Sequence, residues 1–309
     1  MIVTCGEALI DMVPITVPKQ VAGFQPLVGG ALFNTAVGLG RLGIPTAMVA
    51  GISNDMFGEQ LVQALLASQV STEYLVRSNL PTTLAFIKLT HGQASYTFYD
   101  ENSASRSLLI DDIPRLPNSV SSLLFGGISL ISEPAAETYC QLAEHYSPTK
   151  IIMLDPNIRP AFINNEKAYR QRLQRLLAVA DIVKVSDEDL DWLVPGGADV
   201  AEKVLRLRQL ANELLIVTRG AQSTLAFGRG GMLVEMAVHS VPIVDTVGAG
   251  DTYNSGLLAS LMSQGCLSKT GMAELHIAQV ERALVYAGKV AAVTVSRAGA
   301  NPPWAEEIA

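Results

Sequence analysis

The chain has 309 residues, 49% of them hydrophobic, and a formal net charge of −7. That length can bury one large α/β core or two smaller ones. No apolar run reaches the ~18 residues of a membrane span, so no membrane partner is expected, and the acidic balance argues against nucleic acid.

The N-terminus meets acids at Glu7 and Asp11 without a basic segment, so residues 1–5 read as a buried central strand and not as a signal peptide. Residues 10–28 are short apolar pieces broken by Pro14, Pro18, Gly23 and Pro26, a hairpin-like pattern. From Gly29 to Gly43 the apolar spacing is helical, and Pro45 leads into a strand from Thr46 to Ala50. A helix follows over Phe57 to Gln69 and a strand-like piece over Val70 to Val76. Residues 82–99 read as a second hairpin turning at His91-Gly92. Beyond about residue 103, strands at 122–126, 151–154, 181–185, 214–218, 224–227 and 232–238 alternate with helices. Such alternation predicts a doubly wound, mostly parallel sheet flanked by helices. The hairpins do not fit that sheet. They predict a small β lid, formed by residues 10–28 and 82–102 and inserted in a single α/β domain spanning 1–309. Cys5, Cys140 and Cys266 lie far apart, which predicts free thiols in a reducing cytoplasm.

Some motifs exclude chemistry. Gly38-Leu-Gly-Arg-Leu-Gly43 matches the dinucleotide-binding pattern, but a helix precedes it and a strand follows, the reverse of the required order. Its glycines are expected to end a helix and permit close packing. No P-loop is present, and the four histidines are scattered without zinc-ligand spacing.

Asp245-Thr-Val-Gly-Ala-Gly-Asp251 carries a positive signal. It follows the strand formers Val238, Val241, Ile243 and Val244 and precedes a helical run from Thr252 to Met262. A glycine turn opening a helix leaves the first N–H groups without partners, and these bind anions, phosphate above all. A carboxylate beside a phosphate site is electrostatically awkward unless it takes a proton from a hydroxyl that attacks phosphorus. The residues alone also allow a plain βα turn with Asp251 as a cap.

A second glycine motif, Gly29-Gly30-Ala-Leu-Phe-Asn34-Thr-Ala36, joins the first. Together with Gly6-Glu7-Ala-Leu-Ile-Asp11, Asp155-Pro-Asn157-Ile-Arg159, Ser186-Asp-Glu-Asp189, Thr218-Arg-Gly220 and Ser296-Arg-Ala-Gly-Ala300, it resembles the ribokinase-like (PfkB) carbohydrate kinases over essentially the whole chain. Within the family it is most similar to fructokinases.

The resemblance implies an ATP-dependent sugar kinase with Mg2+. It makes Asp251 the catalytic base and Gly248, Ala249 and Gly250 the anion hole. Arg159 becomes a clamp on substrate or phosphoryl, its planar fork suiting oxyanions; by its residue type alone a surface ion pair is an equal reading. Asp11, Gly29, Gly30 and Asn34 match sugar-binding positions, although Asp and Asn there also satisfy turns and caps. Glu133, Asn157, Phe98 and Arg106 complete the expected sugar contacts, with lid core as the other role of Phe98. Lys184, Ser186, Asp189, Thr218, Gly220, Gly248, Gly250 and Gly288 match the nucleotide side. Asp189 stands where relatives carry a Glu that organises magnesium, with Glu188 as a neighbour able to substitute; such contacts run through water. Asp245, Val247, Thr294, Arg297 and Gly299 correspond to a K+ site, although Pro303 stands where some members offer Ser. Other acceptors in the family are 2-keto-3-deoxygluconate, ribose and nucleosides. A non-catalytic sugar-sensing protein is the reading from another class. The lid's exposed strand edges predict a homodimer.

Overall fold

The computed structural model describes all residues except 18–20, 91–92, 198, 209–212, 229–230, 232, 239–240 and 309. Its strands are β1 Ile2–Cys5, β2 Leu9–Val17, β3 Val21–Gly29, β4 Thr46–Ser53, β5 Val70–Ser71, β6 Leu75–Ser78, β7 Leu84–Thr90, β8 Gln93–Tyr99, β9 Ser122–Gly126, β10 Ile151–Asp155, β11 Ile182–Ser186, β12 Leu214–Thr218, β13 Ser223–Gly228 and β14 Leu233–Ala237. Its helices are α1 Ala31–Arg41, α2 Met56–Ala67, α3 Ala135–Tyr146, α4 Glu166–Val179, α5 Asp187–Leu193, α6 Val200–Arg208, α7 Ala249–Ser263, α8 Lys269–Ala273 and α9 Ile277–Val295.

The main sheet runs β14-β13-β12-β11-β10-β9-β1-β4-β5, with β6 also paired to β4. Pairing is parallel from β12 through to β5, and only β13 and β14 run antiparallel at the edge. The inner strands read as continuous apolar runs because both faces are covered. Side chains alternate: Ile2, Leu124, Met153 and Ile216 pack with α1, α2, α7 and α9. Val3, Leu123, Ile152 and Val217 pack with α3, α4, α5 and α6 on the other face.

The chain leaves β1 for β4 on one side and later fills β9 on the other. The strand order therefore switches between β1 and β9. In open α/β sheets, ligands bind outside the carboxyl ends of strands at such a point.

Both expected hairpins form, β2 with β3 and β7 with β8. They join through a short parallel pairing of β2 with β7 into a separate four-stranded sheet, the lid. The expected turn at His91-Gly92 lies outside the described residues.

Two local expectations are corrected. The piece expected over 70–76 is two strands, each paired to β4. The strand formers ahead of Asp245 do not form a strand: β14 ends at Ala237, and Ile243 and Val244 are largely exposed. The amides of Val244 and Asp245 both donate to the Val295 carbonyl at the end of α9, so this segment is held by a helix and not by the sheet.

The Gly38–Gly43 glycines serve packing and termination. A Cβ on Gly38 would lie 2.3 Å from Ser255 Oγ, and one on Gly40 2.0 Å from the Ser68 carbonyl oxygen. Gly43 has φ +74° and stops α1. Cys5, Cys140 and Cys266 are buried and free. No helix among the described residues is long and apolar enough to cross a membrane.

Candidate active site

Helix α7 is buried along residues 251–261 and packs between α1 and α9. Gly248 is its N-cap in the left-handed region (φ +77°), with no side chain capping the first turn. An added Cβ would stand 2.7 Å from Ala300 Cβ, so only glycine brings the turn this close to the 299–300 loop. The helix starts at Ala249, three residues earlier than the apolar pattern predicts. Asp251 therefore sits within the first turn.

Asp251 is 9% exposed, and its Oδ2 accepts a 2.9 Å hydrogen bond from Asn34 Nδ2 on α1. Burial pushes its carboxyl up to about 7, and Asp155 adds to this. The Asn34 bond and the charges of Lys184 and Arg159 oppose the shift. A carboxyl poised near neutrality at a helix N-terminus with no side-chain cap can accept a hydroxyl proton while amides of that turn bind phosphate; of these, Ala249 N donates to the Thr246 carbonyl at 3.2 Å. Three further bonds hold this turn: Thr35 Oγ1 donates to the Asp251 carbonyl, and Ser255 Oγ spans the Thr35 and Asp251 carbonyls. Asn34, expected on the sugar, thus also orients the Asp251 carboxyl.

Asp11 is partly buried, and burial raises its carboxyl to about 6. A Cβ on Gly29 would overlap Asp11 Oδ2 at 2.2 Å. Gly29 is the residue that lets this acid lie against the loop entering α1. The lid's inner rim and the segments below it enclose a cleft of about 710 Å³, lined by Thr82, Phe98, Asp100, Arg106, Ile131 and Phe162 among others. Phe98 meets Phe162 edge-on at 4.7 Å, so its ring both packs the lid and borders the cleft. Arg106 pairs with Asp100 at 3.3 Å and donates to the Glu133 carbonyl.

Other expected residues sit at strand ends. Asp155, Ser186 and Thr218 end β10, β11 and β12. Lys184 is buried and pairs with Asp155 at 3.0 Å, close to where a Gly250 Cβ would lie. Asn254, one turn beyond Asp251, donates to the same Asp155 oxygen. Asn157 takes φ +43°, and Arg159 after it is exposed, with its charge felt at both Asp251 and Tyr96. Gly220 turns at φ +52° after β12, and Gly288 lies half-buried in α9. The loop expected to hold K+ is tied to itself: Asp245 accepts from the amides of Val247 and Gly299, and the Thr294 carbonyl accepts from Arg297 N.

Two acids are placed otherwise than expected. Glu133 turns from the cleft to start α3: its carboxylate pairs with Arg172 and accepts from Glu137 N. Asp189 caps α5, accepting from Ser186 N and Ile158 N, one bond at each oxygen. Acids are favoured at helix N-termini for this reason, and local sequence does not separate the two uses.

Glu7 carries no expected site role, yet it lies at the heart of the arrangement. It is 3% exposed, and its oxygens accept from Ala31 N at 3.0 Å and Ser129 N at 3.2 Å. The available signal is an acid two residues beyond a fully buried strand with no basic neighbour in sequence.

The decisive comparison is at family level: the model of the pfkB family of carbohydrate kinases matches residues 1–307. The chain belongs to that family. It is 45% identical to a fructokinase of Rhizobium leguminosarum bv. trifolii over 89% of this chain and 84% of that one. Its fold matches the Xylella fastidiosa fructokinase solved with bound ATP, at a TM-score of 0.89 and 29% identity over 97% of this chain and 93% of that one. It also matches a Vibrio cholerae fructokinase double mutant solved with fructose, ADP and a potassium ion, at 0.83 and 25% identity over 97% and 93%. This carbohydrate kinase is therefore a sugar phosphotransferase whose mostly parallel sheet and β lid follow its relatives.

Proposed function

We propose that the chain is an ATP-dependent fructokinase, transferring the γ-phosphoryl group to the primary hydroxyl at O6 of fructose. The observation that carries this reading is the Asp251 carboxyl, held by Asn34 at the open N-terminus of α7 and raised to about 7. Asp251 takes the hydroxyl proton. The amides of residues 248–250 stabilise the transferring group, and Arg159 adds charge from the exposed side. The lid excludes water, which protects ATP from hydrolysis.

The cleft, whose lining includes the expected sugar contacts Phe98 and Arg106 but not Asp11, Asn34 or Asp251, supports a neutral acceptor. Arg106 is already paired with Asp100, and Glu101 lines the same rim. A carboxylate such as that of 2-keto-3-deoxygluconate would meet two acids and an occupied guanidinium. Fructose is uncharged and offers hydroxyls and a ring oxygen.

Magnesium fits as an ion carried by the nucleotide phosphates and water. Asp189 is engaged as a cap, and no cluster of three metal-ligating acids, histidines or cysteines occurs among the described residues. The Asp245 loop is the candidate K+ site, and the potassium-bound Vibrio relative supports it. The exposed Ile15, Phe24 and Tyr99 on the lid favour a homodimer. The buried free thiols favour the cytoplasm.

A panel of fructose, ribose, 2-keto-3-deoxygluconate and nucleosides, assayed with ATP for ADP release, tests the reading. Fructose is expected to show the highest kcat/KM, and a higher value for another acceptor overturns it. No turnover with any acceptor, while sugars still raise the melting temperature, would indicate a sugar sensor.

A further inference from the structure

At the switch point between β1 and β9 sits a carboxylate with no cation to answer it. Glu7 is 3% exposed, and no Lys, Arg or His among the described residues pairs with it. A buried acid of this kind costs free energy that an apolar side chain would not. Its bonds show where that cost is used.

Oε1 accepts from Ala31 N, the amide directly after Gly29-Gly30. Oε2 accepts from Ser129 N, in the short turn Gly127–Leu130 that follows β9. The first partner belongs to the loop lying against Asp11. The second belongs to the segment whose Ile128 and Ile131 line the cleft under the lid. One side chain therefore ties together the two walls at the mouth of the switch point.

The backbone is shaped around this group from both sides. Gly30 has φ +109°, and a Cβ there would stand 2.8 Å from the Glu7 carbonyl oxygen. Gly127 has φ +65°, and its Cβ would lie 2.2 Å from Glu7 Oε1. Two glycines in the left-handed region flank one acid because any side chain would displace it. The tie extends to the base: Ala31 opens α1, and Asn34, in the same first turn, holds Asp251.

We infer that Glu7 is a positioning residue for the sugar, clamping the Gly29-Gly30 loop to the Gly127–Leu130 turn so that the acceptor meets a preformed cleft. The inference rests on the kinase reading above. Without the clamp the two walls separate and part of the sugar's binding energy is spent on re-forming them.

The test is steady-state kinetics of Glu7→Gln and Glu7→Asp with fructose and ATP. In Glu7→Gln the amide NH2 faces one of the two backbone donors, so one bond becomes a donor–donor contact. In Glu7→Asp the acid is one methylene short and reaches only one wall. Each change is expected to raise the KM for fructose about tenfold, the worth of one such bond, while the KM for ATP stays within about twofold. A fructose KM unchanged in a folded variant overturns the inference, and so does an equal rise in both KM values. Should Glu7→Gln fail to fold, Glu7→Asp, which keeps the charge, carries the same readout. Absence of fructose-dependent ADP release by the parent chain would instead sink the fructose assignment, and the KM comparison then moves to the acceptor that does turn over; if none does, the variants are compared by the sugar-induced shift in melting temperature, where an undiminished shift overturns the clamp.

Discussion

Helices α1 and α7 both begin at a left-handed glycine, Gly30 and Gly248, and they pack against each other. Their N-termini are used in opposite ways. The first amide of α1 is taken by the protein's own carboxylate, Glu7. The first turn of α7 has no side-chain cap. A filled helix N-terminus is a structural joint, and an open one is a receptor for phosphate. On the proposed reading, the same local motif builds the sugar wall in one place and the phosphoryl site in the other. Asn34 joins the two through its bond to Asp251.

The largest expected effect comes from removing the base at the open end. Asp251→Asn should lower kcat by roughly 10²–10⁴-fold with fructose binding largely kept. Near-parental turnover would break the comparison. The pH dependence sharpens it: with Asp251 titrating at about 7, kcat/KM of the parent should rise as pH increases through that value.

Stability should move the other way. An unfolded aspartate titrates at about 3.9, below the folded value, so between the two the unfolded chain has released a proton that the folded chain retains. The folded state loses stability as pH rises through this window, and the loss is complete above about 7. Asp251→Asn abolishes that cost. Its melting temperature should exceed the parent's at pH 8, by a margin that vanishes toward pH 4.

Next in size is the shape of the open end. Gly248→Ala puts a Cβ 2.7 Å from Ala300 Cβ at a left-handed backbone position. It should reduce kcat on the order of 10²-fold by moving the anion-binding amides, with the fructose KM little changed, as single-turnover and steady-state assays would reveal. The filled end predicts the reverse pattern, a fructose KM that responds to Glu7 with kcat less affected. The smallest effect concerns selectivity in the cleft. Asp100→Asn frees Arg106, so it should raise kcat/KM for a keto-acid acceptor relative to fructose by a few fold, the scale of one exposed ion pair.

Much of this architecture was legible in the linear chain. The inner strands are recognisable because strands covered on both faces become unbroken apolar runs, as in residues 151–154 and 214–217. The hairpins show because Pro and Gly interrupt their patterns. Asp251, Asn34, Asp11 and the glycines stand in recognisable motifs, and the structure groups Asn34 with Asp251 and Asp11 with Gly29. Acids at helix starts were harder. Glu133 and Asp189 read as ligands, yet Glu133 satisfies an amide in the first turn of α3 and Asp189 the N-cap amide of α5 and the loop amide of Ile158, demands visible only once the helix boundary and its neighbours are known. The valine and isoleucine residues before Asp245 misread as a strand because β-propensity says nothing about whether an adjacent edge is available.

Composition, hydrophobic period and glycine placement determined the fold class and the lid, since these depend on contacts within a few residues or on backbone freedom that glycine alone supplies, and it was the family resemblance of its motif that singled out Asp251 as the proposed base. The role of Glu7, the joint duty of Asn34 and the pairing of Arg106 with Asp100 came from the folded molecule. Each depends on groups brought together across the chain or on the direction of a single side chain, and burial, which sets the acidity of Asp251 and Glu7, belongs to no residue by itself.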